Sequence, residues 1–318
     1  MTRSAAYIVI HETEYPPCGV PVSLAHHLLH LIPRELPWQI RESGRITVDP
    51  DLARLTEGED AFGNPVAWLS LDTPHDGLLV RAESRVTVMA RDLPKDEDSP
   101  PWERVRDSFR YRAVARDSEM LDAERYLYAS PSAPRSAELA AFAAQVFKPG
   151  VPLLAGARAL TELIFKTFKY DPDATEVGTS VYEVLKRKRG VCQDFAHLMI
   201  AICRALSIPA RFATGIDYGA DPALGPTDFH AYVEVFLSGR WYMFDPSGTA
   251  IPMGFVRIGT GRDAADVSFA TIFGGVTSAP PTISVKALTA PGRLWEEPRR
   301  RGEALSTDLT VSDLSIPF

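Results

Sequence analysis

Gly190-Val191-Cys192-Gln193-Asp194 leads directly into Phe195-Ala196-His197-Leu198-Met199-Ile200, and the basic run Lys186-Arg187-Lys188-Arg189 precedes both. Phe195, Met199, Ile202 and Leu206 recur at helical spacing, so the segment reads as a helix that Cys192 opens and that ends before Pro209. A thiol at a helix N-terminus lies among unpaired backbone N–H groups at the positive end of the dipole. That placement favours thiolate over thiol, and the same N–H groups can donate to a developing oxyanion. A cysteine is also a small buried hydrophobe, so a base has to be found before the thiol reads as a nucleophile.

His197 is five residues further on, which puts it about 140° round the helix from Cys192 and pointing elsewhere. His230 is better placed. It opens the strand-like run His230–Leu237, Ser238-Gly239 reads as a tight turn, and Arg240–Asp245 returns. With a two-residue turn Leu237 opposes Arg240, Tyr232 opposes Asp245 and His230 opposes Ser247. His230 and Asp245 then share a face as diagonal neighbours about 7–8 Å apart, within reach of a carboxylate to imidazole contact. A three-residue loop would turn them to opposite faces. The spacing accommodates a thiol, an imidazole and a carboxylate in the order Cys192, His230, Asp245, although Asp245 before Pro246 also reads as an ordinary strand-ending turn residue.

Outward from this stretch the chain changes period. Tyr7–Tyr15, Arg45–Val48, Pro65–Leu71 and Leu78–Val88 read as strands; in the last, Val80, Ala82, Ser84, Val86 and Val88 alternate with polar neighbours. Residues 6–90 therefore form an all-β, sandwich-like domain. Charge and proline dominate after residue 91, so 91–135 is expected to be a linker. From residue 136 helical spacing takes over, with Leu139, Phe142, Ala143 and Val146 in one helix and Leu153, Ala157, Leu160, Ile164 and Phe168 in another. A third carries Ser180 and Glu183 as a capping box, with Gly190 as its left-handed terminator. Strands resume at Arg211–Ile216, giving an α+β unit over 136–288 and a tail at 289–318.

The 318 residues fit two domains, and a net charge of −7 spread along the chain weighs against nucleic-acid binding. No apolar run is long enough to cross a bilayer, no signal-peptide core follows Met1, and the expectation is a cytoplasmic protein that binds no membrane. Three cysteines, Cys18, Cys192 and Cys203, are too few and too scattered for a disulfide framework.

Arg189–Leu198, Ile208-Pro209-Ala210-Arg211, Phe229–Val235 and Phe244-Asp245-Pro246-Ser247 together resemble the cysteine, post-helix, histidine and aspartate motifs of the transglutaminase-like superfamily, in its bacterial branch of cysteine-peptidase-like members. Gly261–Val267 is similar to a segment that follows the aspartate in this branch, and Pro21–His27 resembles its N-terminal β domain. The resemblance covers about residues 6–288. It implies a papain-like catalytic domain in which Cys192 is the nucleophile, His230 the base and then the acid, and Asp245 the orienter. Departures are small: Tyr232 stands where the family often has tryptophan, Ser247 where threonine is common.

The expected activity is thiol-dependent acyl transfer on amide bonds of a peptide or protein substrate, with no cofactor and no metal. Peptidase or amidase is the first reading; glutamine transglutaminase, deamidase or a non-catalytic peptide-binding protein are the alternatives. His26 and His30 have a zinc-like spacing, but they read as strand residues without further ligands. Arg262 and Asp263 are expected to buttress the core as an ion pair, and Tyr170 to be a packed aromatic rather than an oxyanion donor. The loop from Asp217 to Phe229, with its glycines and prolines, is expected to form a lip over the cleft, and the β domain its opposite wall.

Overall fold

The computed structural model describes residues 4–288 except 18, 20, 52, 91, 94, 111–116, 177, 219–228, 249–252 and 274–275, together with Leu309–Thr310. The tail expected at 289–318 and Cys18 therefore lie almost wholly outside the described residues.

Inward Tyr7, Val9, His11, Thr13 and Tyr15 alternate with more exposed neighbours along β1 (Ser4–Tyr15), the period-two pattern of a strand with one buried face. β1 pairs with β6 (Leu78–Met89), which pairs with β3 (Gln39–Asp49); a second sheet holds β2 (Ala25–Leu29), β5 (Pro65–Leu71) and β4 (Arg54–Glu59). Leu29, Leu69, Leu71, Val80 and Ala82 fill the space between the two sheets. The strands expected at 7–15, 45–48, 65–71 and 78–88 all lie within observed ones. β4 escapes a sequence reading because none of its residues is buried and no face is marked. Each sheet takes its fourth strand from far down the chain: Thr282–Leu288 pairs with β1 and Ala270–Phe273 with β2. A boundary at 288 had put both segments with the helical unit.

The second unit is built around α6 (Cys192–Ala205). Its sequence marks one apolar face, yet twelve of its 14 residues are buried, so it is enclosed on all sides. α3 (Ala137–Ala143), α4 (Leu153–Thr167) and α5 (Val181–Arg187) pack against it. A four-stranded antiparallel sheet, ordered β9 (Arg240–Phe244), β8 (His230–Leu237), β7 (Ala210–Asp217), β10 (Phe255–Gly261), covers it from another side. The fully buried Arg204 donates to the carbonyls of Ala210 and Arg262 and to the Ser130 hydroxyl, and the Asp263 charge offsets part of its burial.

Residues 91–135, expected as a linker, differ from that reading. The segment holds α1 (Trp102–Ser108) and α2 (Ser118–Glu124), and Val105, Phe109, Ala123, Leu127 and Ala133 are buried in the same core as α6. The charges that suggested a linker lie towards the surface, as in the Asp96 to Arg158 pair at 2.9 Å, while Ser99 Oγ accepts the Leu154 N–H at 3.0 Å at the start of α4. A high charge content conceals a few apolar residues placed one per turn.

β10 is an edge strand, and the β domain covers it with two side-chain amides. Gln39 accepts from Arg257 N–H at 2.7 Å and donates to Arg257 O at 2.8 Å. Asn64 does the same with Thr260, at 2.8 Å in each direction. Both amides imitate a neighbouring strand, closing the edge and docking the two halves at fixed register.

Candidate active site

Cys192 is the first residue of α6 and only 8% exposed. Val191, at the N-cap, offers no side-chain acceptor to the first helical N–H groups. The turn is held by the helix's own third residue instead: Asp194 Oδ2 accepts from Val191 N–H at 2.9 Å and from Thr175 Oγ1 at 2.6 Å. Burial raises the Asp194 carboxyl above its usual range, and these two donors oppose that shift. The arrangement explains Gly190, because a Cβ there would stand 2.7 Å from Asp194 Oδ2. Gly190 is not the left-handed terminator the sequence suggested; Lys188, at φ 55°, takes that role for α5. Of the expected capping box the N-cap half forms, with Ser180 Oγ accepting from Glu183 N–H at 3.3 Å, while the Glu183 carboxylate pairs with Arg187.

Tyr170 lies in the short strand Lys169–Tyr170, which runs parallel to Arg189–Gly190. It packs edge-on to Phe195 with ring centres 6.3 Å apart, as expected of a core aromatic. Its hydroxyl also lies within hydrogen-bond reach of the Cys192 side chain and backbone; burial first, and the thiol second, push that hydroxyl well above its ordinary pKa. The sequence reading set this hydroxyl aside in favour of packing, because a two-residue strand has no period to reveal its facing.

Ser238 at φ 50° and Gly239 at φ 79° give both turn residues the left-handed backbone of a type I′ hairpin. Leu237 accordingly pairs with Arg240, and the ladder runs to Val233 opposite Phe244. That register brings His230 and Asp245 together, with Nε2 3.5 Å from Asp245 Oδ2. Ser247 donates to Asp245 Oδ1 twice, from N–H at 2.8 Å and from Oγ at 2.6 Å. Burial alone would raise the Asp245 carboxyl, but His230 and the Ser247 donors outweigh it and hold it below its usual range. Burial alone would likewise lower His230; Asp217, Asp245 and the Cys192 thiol outweigh it and lift the imidazole well above its usual value.

Asp217 is a residue the sequence reading did not select. It ends β7, is 5% exposed, and sets Oδ2 3.7 Å from His230 Nδ1. Tyr232 Oη donates to its two carboxylate oxygens at 3.0 and 2.9 Å.

A model of the transglutaminase-like superfamily matches residues 140–246, and one of the bacterial transglutaminase-like N-terminal region matches residues 7–87. An uncharacterized protein of Mycobacterium tuberculosis is 31% identical over 282 residues, covering 82% of this chain and 85% of that one. The chain belongs to the transglutaminase-like superfamily. An uncharacterized Mycobacterium leprae protein is 28% identical over 265 residues, 82% of this chain and 90% of its own. The crystal structure of a candidate cysteine protease from Cytophaga hutchinsonii superposes with a TM-score of 0.74 at 24% identity, covering 96% of both chains, so the two share a fold.

Other residues of this transglutaminase-like chain have structural work. His197 Nε2 accepts from Ala264 N–H at 3.1 Å, and burial holds the ring down to about 4, keeping it neutral. His30 is engaged by Ser268 O at 2.9 Å and Asp60 at 3.2 Å, His26 by Ser70 at 2.6 Å. Among the described residues no group of three or more His, Cys, Asp or Glu side chains is placed to hold a metal ion. Arg262 pairs with Asp266 at 2.8 Å rather than with Asp263, which turns inward to accept from Ser132 and Ala265 N–H groups at 3.0 Å each. Residues 219–228 of the expected lip lie outside the described residues. Its end at Phe229 stacks on Phe269 at 3.5 Å and lies 5.5 Å from the His11 ring of β1. No helix among the described residues is long and apolar enough to cross a membrane.

Proposed function

We propose that the protein is a thiol enzyme of acyl transfer, with Cys192, His230 and Asp245 as its reacting and orienting groups and a peptidase or amidase activity on a peptide or protein substrate. The observation that carries this reading is an imidazole under the joint influence of a thiol at a helix N-terminus and a buried carboxylate. Asp245 at Nε2 holds the ring in one tautomer and stabilises its cationic form. The 3.5 Å separation is longer than a hydrogen bond of about 2.6–3.2 Å, and such contacts shorten when substrate closes the site.

In the first half-reaction Cys192 Sγ attacks the amide carbonyl, a C–S bond forms, and the oxyanion is met by N–H groups at the start of α6. His230 gives its proton to the departing nitrogen as the C–N bond breaks, leaving a thioester. Water then attacks, His230 takes its proton, and the C–S bond breaks to release the acid and the thiol. An amine in place of water gives transfer instead of hydrolysis. The β domain, which packs against Phe229 next to His230, supplies one wall of the cleft.

Cys203 is a built-in control, because burial pushes its thiol up to about 12. Iodoacetamide at pH 6 should label Cys192 far faster than Cys203 by intact mass and peptide mapping. Equal rates would end the thiolate reading. A peptide library assayed with and without added amine, using wild type and Cys192→Ala, should show cleavage or transfer only with the wild type.

A further inference from the structure

Asp217 is a buried carboxylate at the centre of the site to which the chemistry above gives no part. Its position follows from pairing. Gly215 pairs with His230 across β7 and β8, so Asp217, two residues on, is a diagonal neighbour of the imidazole. Asp245 is the same kind of neighbour on the opposite strand, two residues short of the position that faces His230. The ring therefore has one carboxylate at each nitrogen, at 3.7 Å from Nδ1 and 3.5 Å from Nε2. The Tyr232 hydroxyl holds Asp217 by contacts to both oxygens, and Tyr232 is itself fully buried on the same face of the strand as His230.

We propose that Asp217, braced by Tyr232, is a positioning residue: from outside hydrogen-bond distance its charge steadies the His230 imidazolium at more alkaline pH than Asp245 and Cys192 would sustain, and the Nδ1 proton stays free for the reaction. This rests on the catalytic reading above. The groups that act on Asp217 are His230 and Tyr232 on β8 and Asp245 beyond β9, while Asp217 in turn acts on Tyr7 of β1. Burial first, with Asp245 adding to it, pushes its carboxyl up to about 7, against the lowering effect of His230 and Tyr232. Below that pH Asp217 is a neutral acid, and Asp245 and Cys192 support the imidazolium without it. Above it Asp217 becomes an anion and adds its charge to that of Asp245 in holding the His230 proton.

Asp217→Asn keeps the size of the side chain and an oxygen that can accept from Tyr232. Its test is an NMR titration of His230 alongside the pH profile of Cys192 alkylation, each in wild type, Asp217→Asn and Tyr232→Phe. An opposite charge at this range moves a pKa by about 1–3 units, so the His230 titration and the alkaline limb of alkylation should fall by that much in Asp217→Asn. Tyr232→Phe removes the donor that favours the Asp217 anion and should give a smaller shift in the same direction. A folded Asp217→Asn whose His230 titration matches wild type reduces Asp217 to a packing residue and overturns the proposal. If Asp217→Asn does not fold, an unmoved titration in Tyr232→Phe overturns it equally. Failure of the thiol reading is a separate result: Cys192 would label no faster than Cys203 in wild type, whereas the His230 titration requires no thiol chemistry.

Discussion

His230 lies between two aspartates that reach it from opposite flanking strands, and the two differ in almost everything but distance. The Asp245 carboxyl is held below the usual range, against its burial, by His230 first and then by the Ser247 N–H and Oγ. Asp217 is equally buried, receives among the described residues only the Tyr232 hydroxyl, feels the charge of Asp245, and is pushed up to about 7. Burial penalises both anions alike; the supply of donors separates them. The better-supplied carboxylate keeps a permanent charge suited to orienting a base, and the poorly supplied one changes charge near neutrality.

The largest expected effect lies on the Asp245 side. Asp245→Asn should leave the fold intact and lower kcat/KM by about 10³–10⁴-fold, because an amide favours the wrong imidazole tautomer. Full activity in that variant would exclude Asp245 from the site and leave Asp217 as the orienter. Ser247→Ala deletes one of two donors to Asp245 Oδ1. A hydrogen bond to a charged group contributes about 1.5–3 kcal/mol, so kcat/KM should fall by about 10- to 100-fold. No change would mean that His230 alone holds the Asp245 charge, and the contrast in donor supply would lose its explanatory force.

The smallest effect is on stability. The Asp217 carboxyl is raised on folding from an ordinary 3.8 to about 7, so between those values the folded chain binds more protons than the unfolded one. Stability from this group falls as pH rises through that window. His230, raised above 6.5, contributes stability that is fully present below 6.5 and is lost as pH rises through its folded value. Asp217→Asn removes the first contribution, so the melting temperature of the variant minus that of wild type should increase from pH 5 to pH 8. A constant difference across thermal melts at those pH values would show that Asp217 does not titrate there.

The same pair shows how far a sequence can be read. Asp245 was legible because Ser238-Gly239 is a two-residue turn, and the parity of a short hairpin places His230 and Asp245 on one face. Asp217 stands as near to His230, but the connection from 218 to 229 has no fixed register, and its length says nothing about which residues will face one another. The Tyr170 hydroxyl was set aside for a related reason, since its facing is set by pairing with Arg189–Gly190 rather than by a pattern of its own.

By itself the sequence determined the helix start at Cys192, the hairpin register behind His230, four of the six strands between Ser4 and Met89 and the α+β character of the second half. These are short-range properties, written in periods of two and 3.6 residues and in turn parity. Only the tertiary structure decided that Ala270–Phe273 and Thr282–Leu288 complete the N-terminal sheets, that Gln39 and Asn64 close the edge of β10, and that 91–135 contributes to the core. It also decided that two aspartates of like chemistry meet one histidine in opposite states. Burial and donor supply are sums over neighbours distant in the chain, and no local pattern carries them.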